Sequence, residues 1–408
     1  MAQKPGSTVP RQEKLLNGLR LLMWNDPAAN KTSVRIRIHA GSAFDPQGKE
    51  GAMNMLAENL FPTQDVREFY RDDLGGSIDV VTTYDYIQIN ATASNDKLLT
   101  LLESLSTAVT NPTIDKESTA QIKTAELTKI AAVSKDPSYV ADMAAASRLF
   151  GSFPYGRPRL GTAESVQKID FADLIDLRHR FLTADNATVA ISGNIDGNLA
   201  FRAARRYLGA WLKSDKRVPS TFRQPDDPKS GLPVFDSPVA NSSEFRIAVR
   251  GVARGDKDYY AAAVLASILD RRFKQMEGGK AFVRHEANAL PGLFLFGVPD
   301  WNRGKITRNG DKIALPETDG YPKQILNAAI KPDEFETAKR ELAIALGQIP
   351  VADVWLDADT YKITASAAAP ENFQTVVVAD TQRVLERLQK QPVAQVLVFS
   401  NPATSTAN

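Results

Sequence analysis

The stretch GAMNMLAENLF, Gly51–Phe61, decides how the rest of this chain is read. It is a mostly apolar helical segment carrying three polar residues, Asn54, Glu58 and Asn59. Asn54 and Glu58 are four apart, so both project from one helix face. Two helix-borne side chains at that spacing can grip a metal ion. The stretch is therefore a working site, the remnant of one, or the edge of a core helix.

Working outward, GLRLLMWNDP (18–27) and KTSVRIRIHAGSAFDP (31–46) read as two strands joined by a polar turn. In the second, Val34, Ile36 and Ile38 alternate with Arg35, Arg37 and His39, which predicts one packed and one polar sheet face. A strand pair is expected within 76–94, and helices within 95–111, 115–134, 138–150 and 163–181. The first of these helices is expected to open at an Asn/Asp cap. The strand NATVAISGNID (186–196) follows, and then the helix NLAFRAARRYLGAWL (198–212) with Ala200, Ala204, Tyr207, Leu208 and Trp211 on one face.

Residues 214–233 contain four prolines and read as a linker. Beyond it the chain echoes itself. EFRIAVRGV (244–252) matches SVRIRIHAG (33–41), PDEFETAKRELAIAL (332–346) matches the helix holding QIKTAEL, and QVLVFSN (395–401) matches TVAISGN (188–194). These echoes predict an α+β tandem duplication of two similar domains, each an antiparallel sheet backed by helices: 1–213, a linker 214–233, and 234–408.

Composition narrows the chemistry. Fifty basic and 48 acidic residues leave a formal charge of +2 with no block of like sign, which argues against a nucleic-acid partner. With no cysteine, disulfides, thiolate zinc sites and cysteine nucleophiles are excluded. No apolar run approaches the roughly 18 residues of a membrane span. The start, MAQKPGSTVPRQEK, contains no signal peptide and reads as a mature end carrying an added Met, which favours an exported, periplasmic location.

The order AGSAFDP (40–46), GKEGAMNMLAENLF (48–61), FGSFPYGRPRLGTAESVQKID (150–170) and NATVAISGNID (186–196) resembles the insulinase/pitrilysin metallopeptidase family. That family includes the mitochondrial processing peptidase subunits and the core proteins of the respiratory cytochrome complex. The resemblance runs across essentially the whole chain, and PYGRPRLGT (154–162) is its most specific part. It implies a peptide chamber enclosed by four such domains, drawn from one long chain or from two half-length subunits. A homologous partner, in a hetero- or homodimer, is the expectation.

Active members carry His-x-x-Glu-His on a helix, with a downstream carboxylate completing the zinc shell. A gap-free match on Gly51 and Leu60-Phe61 puts Asn54, Ala57 and Glu58 at those ligand, base and ligand positions. The downstream ligand falls near Lys129, with Glu126 one turn earlier. An amide is a poor zinc ligand and Ala57 cannot act as a base. The three histidines, His39, His179 and His285, each stand alone. The resemblance also implies an Arg and, seven residues later, a Tyr in the second half that hold substrate; Gln275 and Phe282 occupy those positions. Gln275 lacks the charge and Phe282 the hydrogen bond. Glu126 and Arg284 remain candidates for touching peptide. Gly278-Gly279 reads as a turn, and Trp301 and Trp355 as packing residues.

The expected function is a non-catalytic subunit that forms a peptide-binding chamber with a catalytic partner, zinc residing in the partner alone. A structural, core-protein-like subunit of a larger complex is the alternative. A zinc endopeptidase with relocated ligands ranks third.

Overall fold

The computed structural model describes residues 9–214, 222–223, 225–302, 305–309, 312–315, 326–368 and 370–400. The described residues pack as two compact units. One draws on Met1–Ile130, Pro158–Phe222 and Pro350–Thr360, the other on Ala131–Arg157, Arg223–Ile349 and Tyr361–Asn408. Against a division into 1–213 and 234–408, each unit thus takes one segment from the other half of the sequence. The stretch 214–233 lies partly outside the described residues, at 215–221 and 224.

In the first unit, β1 (Arg11–Lys14), β2 (Arg20–Asn25), β3 (Lys31–Ile38), β4 (Ser77–Thr82), β5 (Ile87–Ser94) and β6 (Ala187–Gly193) form a sheet ordered β1-β2-β6-β3-β5-β4. β2 runs parallel to β6 and the other neighbours are antiparallel. The strands flanking the polar turn at 26–30 are therefore not neighbours, because β6 lies between them. Apolar almost throughout and buried on both faces, β6 suits a central position. The edge strand β1, RQEK, has no apolar alternation that would announce it.

One face of this sheet is backed by α1 (Ala52–Asn59), α2 (Gln64–Asp72), α3 (Leu98–Thr110), α4 (Lys116–Val133), α6 (Ala163–Lys168), α7 (Phe171–Phe181) and α8 (Gly197–Leu208); α5 (Pro137–Phe150) belongs to the second unit. Val34, Ile36 and Ile38 share a core with Met53, Leu56, Leu101, Leu177 and Ala204. Two helix starts differ from the sequence expectation. Asn95–Lys97 is a 3-10 turn, so α3 begins at Leu98 with no side-chain cap. The helix expected over 163–181 breaks in two, because Asp170 accepts from the N–H groups of Ala172 and Asp173 and restarts it as α7.

The opposite face of the sheet is polar but not open to water, contrary to the simple alternation. The helix Val351–Tyr361 covers it, setting Ala352, Trp355 and Leu356 against Leu22, Trp24 and Ala190. Its acids meet the basic strand residues: Asp353 pairs with Arg35, Asp359 with Arg20, and Asp357 with Arg37 at 2.7 Å. Only 2% of Arg37 is exposed. Burying a guanidinium is costly unless it is paired, and the acidic helix supplies the pairs.

In the second unit, β7 (Val234–Asp236), β8 (Ser242–Arg250), β9 (Phe282–Glu286), β10 (Leu293–Pro299) and β13 (Val393–Ser400) are ordered β7-β13-β8-β10-β9; β11 (Thr307–Asn309) and β12 (Lys312–Ala314) form a separate small ladder. This order reproduces β2-β6-β3-β5-β4, including one parallel pair, β7 with β13. The duplication is thus visible in strand order, and each sheet is antiparallel except for that single pair. The helix α9 (Tyr259–Glu277) and the helices Pro332–Leu346 and Val378–Gln389 share a core with Phe245, Ile247 and Phe296. Trp301 is buried and stacks on Phe245 at 4.5 Å, the packing role expected of it. On the other face lies α5, where Asp142 accepts from Arg246 Nε at 2.6 Å and Ser138 from Nη2 at 2.7 Å.

Candidate functional site

The start of α1 is fixed by its backbone. Asp45 accepts from the N–H groups of Gly51 and Met53 at 2.8 and 2.7 Å. Gly51 has φ +98°, a left-handed conformation that favours glycine, and a Cβ there would run into the Leu160 carbonyl. Gly161, at φ +78°, closes against the Glu50 carbonyl in the same way. Two of the segments that carried the family resemblance, 48–61 and 150–170, thus touch through paired glycines, which locks α1 in place.

On α1, Asn54 is buried, Ala57 is buried, and Glu58 is half-buried. α4 lies alongside with Glu126, which is 1% exposed, and Lys129. Asn54 Nδ2 donates to Glu126 Oε2 at 2.8 Å. Lys129 Nζ donates to Glu126 Oε1 at 2.7 Å and to Glu58 Oε1 at 3.0 Å. The other oxygen of Glu58 accepts from Arg67 Nη2 of α2 at 2.9 Å. Partial burial pulls the Lys129 pKa down, but hydrogen bonds to Glu126 and Glu58 outweigh it and leave the ammonium above its ordinary range.

The residues expected at the former metal site therefore do converge, Asn54, Glu58 and Lys129 with Glu126 among them. They do not fit zinc. An ammonium group occupies the lone pairs a metal would need, Asn54 turns its amide nitrogen rather than its oxygen inward, and no base stands at Ala57. Among the described residues, no cluster of three or more His, Asp or Glu could hold a metal ion. Glu126, a candidate for touching peptide, is buried with both oxygens engaged and is not presented to a ligand. Arg67 and Asp45 escaped the sequence reading. Asp45, six residues before Gly51, has the form of a cap, whereas Arg67 gives no spacing signal.

Two of the three histidines are held within the fold. His39 has both ring nitrogens against hydroxyls, Thr360 at 3.1 Å and Thr188 at 3.0 Å. His179 is exposed in the last turn of α7. His285 stacks on Phe294 at 4.4 Å, and burial pushes its pKa down to about 4. In the second unit, Gln275 is exposed on α9 and Phe282 opens β9 after the Gly278-Gly279 turn. The Phe282 ring lies between the guanidiniums of Arg246 and Arg284, 5.1 and 5.5 Å from its centroid. Arg284, the other peptide candidate, is committed to Asp142 and Glu286, each at 2.8 Å.

Family models match in two blocks: "Insulinase (Peptidase family M16)" over residues 20–163 and "Peptidase M16 inactive domain" over 168–295. An uncharacterized zinc protease of Mycobacterium tuberculosis is 27% identical over 276 residues, 66% of this chain and 63% of that protein. The chain thus spans less than two thirds of that relative. Among solved structures, a peptidase M16 inactive domain from Pseudomonas fluorescens superposes with a TM-score of 0.79 at 19% identity, covering 97% of this chain and 98% of that one. A chain of complex III2 from Candida albicans gives 0.71 at 18% identity, covering 96% and 95%. At these identities the solved structures establish the fold alone.

Proposed function

Because the chain belongs to the insulinase family, peptidase family M16, we propose that it is a non-catalytic subunit of an insulinase-type peptidase assembly. It would line a peptide chamber with a homologous partner that carries the intact His-x-x-Glu-His helix and its zinc. One observation carries the reading: Lys129 Nζ bonds Glu58 and Glu126 where the family's metal shell would be, so the chain's own helix cannot activate water. The second place departs as well, since Phe282 has no hydroxyl to give a substrate backbone.

The test is to purify the tagged chain from its native source. A co-purifying homologue with the intact motif is expected, with no zinc and no peptidase activity in the chain alone. Stoichiometric zinc with chelator-sensitive cleavage by the chain alone would overturn the proposal and favour relocated ligands.

A second reading, a structural subunit of a larger complex, is favoured by the likeness to the complex III2 chain from Candida albicans. Stoichiometric recovery within a membrane complex, without any motif-bearing homologue, would select it.

A further inference from the structure

The four charged groups around α1 balance without an ion. Glu58 and Glu126 face Lys129, and Arg67 closes the remaining oxygen of Glu58. Glu126 is nearly inaccessible, and a buried carboxylate persists as a charge only with a cation beside it. The bonds join three elements, since Glu58 lies on α1, Arg67 on α2, and Glu126 with Lys129 on α4. A divalent ion added here would meet an ammonium already bound to both carboxylates.

We propose that Lys129 is a built-in cation that takes the structural place of the metal, fastening α1 to α4 and making this unit's fold independent of any ion. Its Nζ supplies the positive charge, and its hydrogen bonds supply the fixed geometry that coordination would give. This inference stands on the geometry of one chain, and it holds whether or not a catalytic partner exists.

Removing the ammonium should reveal the role. Lys129→Met keeps an unbranched side chain, one atom shorter, but leaves Glu58, Glu126 and the Asn54 amide oxygen, free to rotate inward, as a set of hard oxygen donors suited to Ca²⁺ rather than Zn²⁺. The experiment is a set of thermal melts at neutral pH on the whole chain, in EDTA and in millimolar CaCl₂. Wild type should melt at the same temperature in both. Lys129→Met should melt lower in EDTA by roughly 5 °C or more, and calcium should restore part of the loss. The double variant Lys129→Met with Glu126→Gln, which removes the stranded charge, should recover in EDTA and lose its response to calcium. It also keeps the test open if the single variant fails to fold. A wild type that loses stability in EDTA, a Lys129→Met protein that melts like wild type there, or a double variant no better than the single one would each overturn the proposal.

Discussion

The two sheets solve one problem in different ways. Arg35 on β3 and Arg246 on β8 occupy corresponding places in the repeated strand, and each meets an aspartate from a covering helix. On the first sheet the load is spread: Asp353, Asp357 and Asp359 serve Arg35, Arg37 and Arg20, and Gln88 also accepts from Arg37 at 2.6 Å. On the second it is concentrated. Asp142 joins Arg246, 2.6 Å away, to Arg284, 2.8 Å away. Glu244 is the remaining acid on Arg246, and burial raises its pKa. Losing Asp357 leaves Arg37 with Gln88 and Asp353, whereas losing Asp142 weakens two arginines at once, leaving Arg246 with Glu244 and Arg284 with Glu286.

The sharpest way to break the comparison is to remove a whole cover. A fragment ending at residue 222 lacks Val351–Tyr361, leaving Arg37 and the apolar set Leu22, Trp24 and Ala190 bare. It should lose cooperative unfolding in urea, and the peptide 350–361 supplied in trans should restore some of it. A cooperative transition unchanged from the full chain would show that the acidic helix is dispensable. Next in size are the single acids. Asp142→Ala should cost about 3–5 kcal/mol, because it leaves a fully buried guanidinium short of a charge. Asp357→Ala should cost only about 1–2 kcal/mol, since Arg37 keeps Gln88 and the nearby Asp353. Equal losses in urea titrations would erase the distinction between spread and concentrated pairing.

Much of this was legible in the sequence, for reasons particular to each element. The alternation of Val34, Ile36 and Ile38 marks a packed strand face because side chains alternate along any strand. The echoes of β3 in β8 are readable because the buried apolar positions keep their register, Val34 and Ile36 against Phe245 and Ile247, and β13 repeats β6 likewise, with Val396 and Val398 against Val189 and Ile191. Counting from Gly51 and Pro137 brought Asn54, Glu58 and Lys129 to one place, since a helix fixes spacing rigidly. What covers Arg37 was not legible: its partner Asp357 is 320 residues away, and nothing local in either segment names the other. Nor was the burial of Glu126, which depends on how closely α4 meets α1 rather than on its own neighbours. The insertion of β6 between β2 and β3 was hidden for the same reason, as a short polar turn reads as a hairpin until a distant strand intervenes.

A last test, whose size depends on pH, compares the two sheets through their histidines. His39 has hydroxyls at both ring nitrogens, while His285 lies against Phe294 with the Val252 N–H 3.4 Å from its Nε2. Loss of hydration holds the His285 pKa near 4, below its ordinary 6.5, so the fold prefers the neutral ring. The unfolded chain therefore binds a proton first as pH falls. This group's contribution is present above about pH 6.5 and is lost as pH drops toward 4, a change of up to about 3 kcal/mol. Many carboxylates also titrate in this window, so the informative quantity is the difference between wild type and His285→Phe, which keeps the stack on Phe294. Urea midpoints at pH 7 and pH 4.5 should fall further for wild type than for the variant. Parallel declines would mean that His285 already shares its surroundings with water, and the contrast with His39 would disappear.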